Sequence, residues 1–338
     1  IVRAVLSEHR KTLAAIENQG SEVVRDLMHM ACHGEAAAQQ PSSDPVARAY
    51  RAFEDMPLST RVLRGVYSAG FERPSPIQQQ AIVPMIMGGD VIAQAQSGTG
   101  KTGAFAIGLL ERIKPSVRNT QALVLSPTRE LAAQTYEVMS TLGEFVAQEC
   151  AAANLVALFV GKTSSRADDV RLLMGGVIIA IGTPGRVADH VKRGALQTGL
   201  LQAVVLDEAD EMLSQGFAPQ VLEIFRYLPR DVQVGLFSAT MPPEVLELCG
   251  HFMRNPTRVL VPTAELTLRG IKQFYVALEN DEAKLLAMMD LFESVSIAQS
   301  VIFVSSRRRV EWLASELVAQ HHTVAALHAS MDPAERNR

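Results

Sequence analysis

Cysteine is scarce in this chain: Cys32, Cys150 and Cys249 are odd in number and far apart in 338 residues. That spacing excludes a disulfide framework or a zinc knuckle, and reads as reduced thiols in an intracellular compartment. Long apolar runs are missing too. None approaches the roughly 18 residues of a membrane span, and the first residues lack the basic, apolar, small-residue order of a signal peptide. Charge of one sign is not in excess: 32 Lys and Arg stand against 36 Asp and Glu, a formal net charge of -4. This leaves nucleic-acid binding open, because a local basic groove serves in an acidic protein. Tryptophan occurs once, as Trp312. The chain starts at Ile1 and not at Met, so residues are expected to be missing at that end.

What remains is 48% hydrophobic and 20% charged, the composition of a soluble globular protein long enough for two domains. Thirteen Met and twelve Phe are expected to fill cores. Residues 1–49 differ from the rest: Ala4 to Gln19 could form a helix, but Ala36 to Pro45 reads as a linker, and the segment is expected to be disordered or partly helical. From Phe53 onward, short apolar runs alternate with helical stretches. Asp90–Ala93, Gln121–Leu125, Ala153–Val160, Val177–Ile181, Ala203–Leu206 and Gln233–Phe237 are continuous in place of alternating. Each is therefore expected to be buried on both faces of a parallel sheet covered by helices, a doubly wound α/β domain over 50–261. A second unit, 262–338, holds strand-like Lys272–Leu278, Ser300–Val304 and Thr323–Leu327, with Val310, Leu313 and Leu317 as the apolar stripe of a helix. About 75 residues is short for an α/β domain, so this unit is expected to be incomplete.

The run Ala95-Gln96-Ser97-Gly98-Thr99-Gly100-Lys101-Thr102 carries the most chemistry. It lies between an apolar strand and a helix, the context a phosphate-binding loop requires. Its glycines let backbone N–H groups converge on phosphates at a positively polarised helix N-terminus. Lys101 would reach the β/γ-phosphates and the Thr102 hydroxyl would hold Mg²⁺. Ala95 stands where the strict pattern has Gly. A second element, Val204-Val205-Leu206-Asp207-Glu208-Ala209-Asp210, is a strand ending in acids. Asp207 would hold Mg²⁺ through its water shell and Glu208 would polarise the attacking water. Ser238 and Thr240, in Ser238-Ala239-Thr240, follow another strand and could hydrogen-bond those acids and relay their state, or could simply cap the helix that starts near Pro242.

Together with Phe71-Glu72-Arg73-Pro74-Ser75-Pro76-Ile77-Gln78, Pro127-Thr128-Arg129-Glu130-Leu131-Ala132 and Thr183-Pro184-Gly185-Arg186, these segments stand in the order and spacing of the DEAD-box RNA helicases. The chain resembles that family, in particular its translation-initiation branch, nearly unbroken from Phe53 to Arg336. The resemblance implies two RecA-like domains, the second incomplete here, with ATP and Mg²⁺ as cofactors. It implies that Phe71 stacks on adenine and that Arg73 and Gln78 belong to the nucleotide site, Gln78 reading the adenine edge. It implies catalytic roles for Lys101, Asp207, Glu208, Ser238 and Thr240, and RNA contacts by Pro127, Thr128, Arg129, Gly161, Thr183, Pro184, Gly185, Arg186, Ser306 and Arg307. The Thr128 and Thr183 segments place small or basic residues at helix N-termini, where an anion is favoured, though capping would use the same groups. Implied partners are RNA and scaffold proteins of the initiation-factor 4G type, with no membrane, a monomeric state, and a cytoplasmic or nuclear location.

The pattern is broken in places. Gly161-Lys162 replaces a Gly-Gly pair, Pro333 replaces a Gln and leaves Arg336 without it, and His328-Ala329-Ser330-Met331 replaces His-Gly-Asp-Met. The last two family motifs, with the second domain's nucleotide-sensing acid and its arginine fingers, would follow Arg338. A chain that lacks them is expected to unwind poorly or not at all. Alternatives to a helicase are an ATP-gated RNA clamp of the splicing-junction type, or an inactive fragment that binds nucleotide only.

Overall fold

The computed structural model describes residues 50–161, 165–260, 274–278, 280–295, 297 and 299–331. The candidate helix and linker before residue 50, Lys162, Pro333 and Arg336 lie outside the described residues. The chain divides into two compact units between Arg269 and Gly270.

The first unit is built on a seven-stranded sheet. In chain order the strands are β1 (Val91–Gln94), β2 (Ala122–Leu125), β3 (Asn154–Phe159), β4 (Val177–Gly182), β5 (Ala203–Asp207), β6 (Gln233–Ser238) and β7 (Thr257–Leu260). Their spatial order is β3-β4-β2-β5-β6-β1-β7, and every pairing is parallel. Successive side chains of a strand point to opposite faces, and here both faces are covered. Val91, Ala93, Val124, Val205 and Phe237 enter one core, with Ile82, Phe105 and Met139 from the helices Pro76–Met87, Lys101–Arg112 and Arg129–Leu142. Ile92, Leu123, Val204, Leu206 and Leu236 enter the other, with Val187, Ile224 and Val245 from Pro184–Lys192, Ala218–Phe225 and Pro243–Phe252. The six expected strands of this unit are all present, with ends moved by a residue or so.

Two features of the sheet differ from expectation. The edge strand β7 was not foreseen, since Thr257-Arg258-Val259-Leu260 buries only Val259 fully and carries no continuous apolar run. Asp90, expected to begin a strand, instead precedes β1 and works through its side chain. Its carboxylate accepts from Val234 N at 2.8 Å and Arg254 N at 2.5 Å, fastening the sheet between β6 and the approach to β7.

The second unit contains the helices Asp281–Ser294 and Arg307–Ala319. The three strands expected there are not formed among its described residues. A strand persists only when its backbone groups are paired and one face is covered. Here Phe274 is 87% exposed and Phe303 92%, with Tyr275, Val301 and Leu327 also open to solvent. Leu317 is the buried residue of the expected helical stripe, whereas Trp312 is 49% exposed.

Asp90→Ala should destabilise the first unit by about 3 kcal/mol, because two backbone donors lose a charged acceptor; an unchanged urea midpoint would contradict this. Trp312 emission in the native chain should resemble that of a water-exposed indole and shift little in urea. A blue-shifted emission with a cooperative transition would show a covered ring.

Candidate nucleotide and RNA site

Apart from Phe71–Gln78, which precedes the first strand, the segments singled out in the first unit sit where parallel strands end, on the carboxyl edge of the sheet, where open α/β sheets bind ligands. Backbone hydrogen bonds carry the ladder past the strands and fix the loops: Ala95 N to Ser238 O at 3.1 Å, Ser126 N to Gly182 O at 3.0 Å, and Thr183 N to Phe159 O at 3.2 Å. The order of the sheet sorts them. The loops after β1, β5 and β6, three adjacent strands, carry the phosphate loop, the acids and the hydroxyl pair. The loops after β3, β4 and β2, the three strands on the other side, carry Gly161, Thr183–Arg186 and Pro127–Arg129.

Gly98 and Gly100 lie at φ 81° and 98°, a left-handed backbone that leads directly into the helix Lys101–Arg112. A Cβ on Gly100 would stand 2.6 Å from Gln78 Nε2 and 2.9 Å from Ser75 Oγ, so this position requires glycine twice over. Thr99 Oγ1 donates back to Gln96 O at 2.6 Å, closing the loop on itself. Lys101, 5% exposed, places Nζ 3.0 Å from Glu208 Oε1 and 3.1 Å from Oε2. Ser97 Oγ donates to the same carboxylate at 2.9 Å. Glu208 itself takes a left-handed conformation, φ 50° and ψ 55°, which is strained for a residue with a side chain. Asp207 is buried, and its carboxyl is pushed up to about 7 by desolvation and then by the charge of Glu208, against Lys101 and a hydrogen bond from Thr135. Thr102 stands half-buried in the first turn of the helix.

Phe71 and Gln78 lie well before the loop in the chain, yet both pack on the loop or on the first turn of its helix. A Cβ on Gly103 would meet Gln78 Nε2 at 2.7 Å and Phe71 Cε1 at 3.1 Å. Gln78 is 2% exposed; its Oε1 accepts from Ser75 N at 2.9 Å and its Nε2 donates to Gly100 O at 3.2 Å. In this conformation the amide holds the phosphate loop. Arg73 is exposed.

The hydroxyl pair bonds to neither Asp207 nor Glu208 but to the next acid. Ser238 Oγ accepts from Asp210 N at 3.2 Å, and Thr240 donates to Asp210 Oδ2 from its backbone N at 3.1 Å and from Oγ1 at 2.5 Å. Burial raises the Asp210 carboxyl, but the bonds from Ser238, Thr240 and the Glu211 and Thr240 backbones outweigh it and hold the group below the usual carboxylate range. Asp210 and Thr135 were not singled out from the sequence. The signal for Asp210 was present, one helical step beyond the acid pair; for Thr135, in mid-helix, there was none.

Of the residues expected to meet RNA, Thr128 caps its helix by accepting from Leu131 N at 3.2 Å. Thr183 begins the next such helix without a side-chain cap bond. Pro127 and Pro184 are buried, and Gly185 is exposed. Arg186 Nε donates to the buried Asp169 at 2.8 Å. In the second unit, Ser306 Oγ caps its helix from Arg309 N at 3.4 Å, and Arg307 pairs with Glu311 at 2.8 Å on an exposed surface.

A parallel sheet with a glycine-rich phosphate loop after β1, an acid pair after β5 and a hydroxyl pair after the strand between them is the RecA-like core of a nucleotide hydrolase. The DEAD/DEAH box helicase family profile matches residues 75–248, and the chain belongs to that family. It is 56% identical over 313 residues to the probable eukaryotic initiation factor 4A of Trypanosoma brucei brucei, covering 91% of this chain and 76% of that protein. It is 52% identical over 286 residues to the ATP-dependent RNA helicase eIF4A of Neurospora crassa, covering 85% and 70%. Among solved structures it is similar to S. cerevisiae Dbp5 bound to RNA and ADP BeF3, with TM-score 0.74 and 33% identity over 85% of this chain and 72% of that one.

Glu208→Gln should leave ATP affinity equal or higher, because an amide competes less with phosphates for the Lys101 ammonium. In a chain that carries the family's last two motifs it should also cut RNA-stimulated phosphate release by about 10²–10⁴. Lys101→Ala should weaken ATP binding. Calorimetric titration and phosphate release check both; parental turnover by the Glu208 variant would remove it from the water-activating role.

Proposed function

We propose that the chain is an ATP-dependent RNA helicase acting in translation initiation. The observation that carries this reading is the placement of Lys101 and Glu208, 3.0 Å apart, on the same sheet edge as the Thr128 and Thr183 helix starts. ATP would lie with its phosphates over Gln96 to Thr102, its β/γ-phosphates at Lys101, and its base beside Phe71, Arg73 and Gln78. The residues fit a hydrated divalent cation. Mg²⁺ is held through one or two carboxylates, water and substrate phosphates, not by an all-protein cage, and no group of three or more His, Cys, Asp or Glu forms such a cage among the described residues. The buried carboxyl of Asp207, pushed up to about 7, is the kind of group a cation returns to its charged form. Thr102 and Asp207 would hold it, and it would neutralise charge on the phosphates.

Hydrolysis then rests on this chain's own groups. Lys101, withdrawn from Glu208 by the phosphates, stabilises the charge that develops on them. Glu208, released from Lys101, orients the attacking water and accepts its proton. Asp210, bonded to both Ser238 and Thr240, ties the acid segment to the loop after β6, so a shift at the phosphates is felt there. RNA would run over the loops after β2, β3 and β4, its phosphates at Pro127–Arg129, Gly161 and Thr183–Arg186. Residues 262–338 are assigned to a second RecA-like domain after the ATP-binding domain 50–261, and Ser306 and Arg307 are that unit's own candidate RNA contacts. A scaffold of the initiation-factor 4G type and a cytoplasmic location follow from the same reading.

The parental chain should bind ATP more tightly than GTP by calorimetry. Gln78→Ala should erode that preference and also weaken both nucleotides, because the same amide holds Gly100 O. Equal affinities in the parental chain would overturn the adenine assignment.

A further inference from the structure

Asp169 has no role in the reading so far, yet it is completely buried. It lies in the first turn of the helix Arg166–Gly175. Its Oδ2 accepts from Arg186 Nε at 2.8 Å and meets His190 Nε2 at 2.7 Å. Arg186 and His190 are one turn apart on the helix Pro184–Lys192, so both reach one carboxylate from one helix face. The His190 side chain is 1% exposed and stands edge-on to Phe159 of β3, ring centres 5.6 Å apart. Phe159 O in turn accepts from Thr183 N. A buried carboxylate is tolerated only when it is paired and hydrogen-bonded, as this one is by Arg186 and His190.

The cluster lies directly beneath two of the segments assigned to RNA. Gly161 follows Phe159 by two residues, and Thr183 to Gly185 form the turn that leads into Arg186. We propose that Asp169 is a positioning residue for RNA: through Arg186, and braced by His190, it fixes the start of the helix Pro184–Lys192 against the end of β3. Arg186, with a side chain only 10% exposed and Nε committed, acts as a strut and not as a freely swinging phosphate ligand. Thr183 and Gly185, at the helix start it braces, make the contact. Without the carboxylate the guanidinium loses its buried anionic partner, and the first helical turn loses that anchor. Small displacements of a positioned group carry large penalties. This inference rests on the RNA reading of Thr183 to Arg186.

The test measures the affinity of a fluorescent single-stranded RNA by polarisation, with a non-hydrolysable ATP analogue and Mg²⁺, and ADP affinity in parallel. Asp169→Asn, which keeps the shape and removes the charge, should weaken RNA about tenfold and leave ADP affinity unchanged. Arg186→Lys should also weaken RNA, and the double variant should be no worse than Asp169→Asn alone, since both act through one strut. Thr183→Ala tests the underlying reading. If it leaves RNA affinity intact, or the parental chain binds no RNA, the RNA site itself is misplaced. If Thr183→Ala weakens RNA and Asp169→Asn does not, the positioning role is wrong. Loss of RNA and ADP affinity together would make Asp169 merely structural and equally overturn the proposal. Should Asp169→Asn fail to fold, Arg186→Lys carries the same two readouts.

Discussion

Parallel pairing is the constraint on which the rest of the first unit depends. Strands that all run the same way need helical crossovers, and crossovers cover both faces of the sheet. The strands must then be apolar on both faces, as Ala203–Leu206 and Val177–Ile181 are. Polar chemistry has no place in the middle of such a sheet and collects at its edges. Because every carboxyl end falls on one edge, segments more than a hundred residues apart, such as Lys101 and Glu208, meet without any further device. The order of strands then separates the nucleotide loops from the RNA loops. The two halves join at the β2–β5 pairing, where Thr135, on the helix that begins at Arg129, is near enough to Asp207 to lower its carboxyl.

The charges at that edge do not stabilise the fold in any simple way. Burying Lys101 against Glu208 costs desolvation that the pair's attraction scarcely offsets, and Glu208 adds a left-handed backbone. What the arrangement secures is a site that satisfies its own polar groups while remaining open to exchange. Phosphates offer Lys101 a better anion, and the carboxylate that leaves the lysine is then free to face water. The same groups therefore serve the waiting state and the reacting one.

Much of this was legible in the sequence because it is local. Continuous apolar runs mark buried parallel strands, and a glycine-rich turn between strand and helix marks a phosphate loop. What escaped was set by contacts between distant segments. β7 is a strand because β1 offers it a partner, not because Thr257-Arg258-Val259-Leu260 looks like one. The hydroxyls of Ser238 and Thr240 find Asp210 because a half-turn of helix brings that acid over β6. Asp169 and His190 sit unremarkably in two different helices, and only the packing of those helices makes them a pair. Ser300–Val304 has the composition of a strand but pairs with no strand among the described residues, because a partner, and not composition alone, makes a strand.

Helix starts show most clearly how one sequence signal supports two physical outcomes. Thr128 and Thr183 occupy equivalent positions, each before a helix and each after a strand of the same half-sheet. At Thr128 the hydroxyl accepts from Leu131 N, so one of the orphan donors of that helix is already satisfied and an RNA phosphate there must compete with the cap. At Thr183 no such bond forms, Pro184 removes another donor by having none to give, and the exposed Gly185 adds no side chain to obstruct approach. Arg186 N already bonds back to Thr183 O at 3.1 Å and Thr183 N to Phe159 O at 3.2 Å. This start therefore offers an anion chiefly the Gly185 N–H, with no threonine hydroxyl competing for it and the buried Asp169 carboxylate gripping Arg186 beside it. Rigidity is placed beneath the helix start that lacks a side-chain cap, which is where holding a phosphate in register depends on the backbone and not on a flexible side chain.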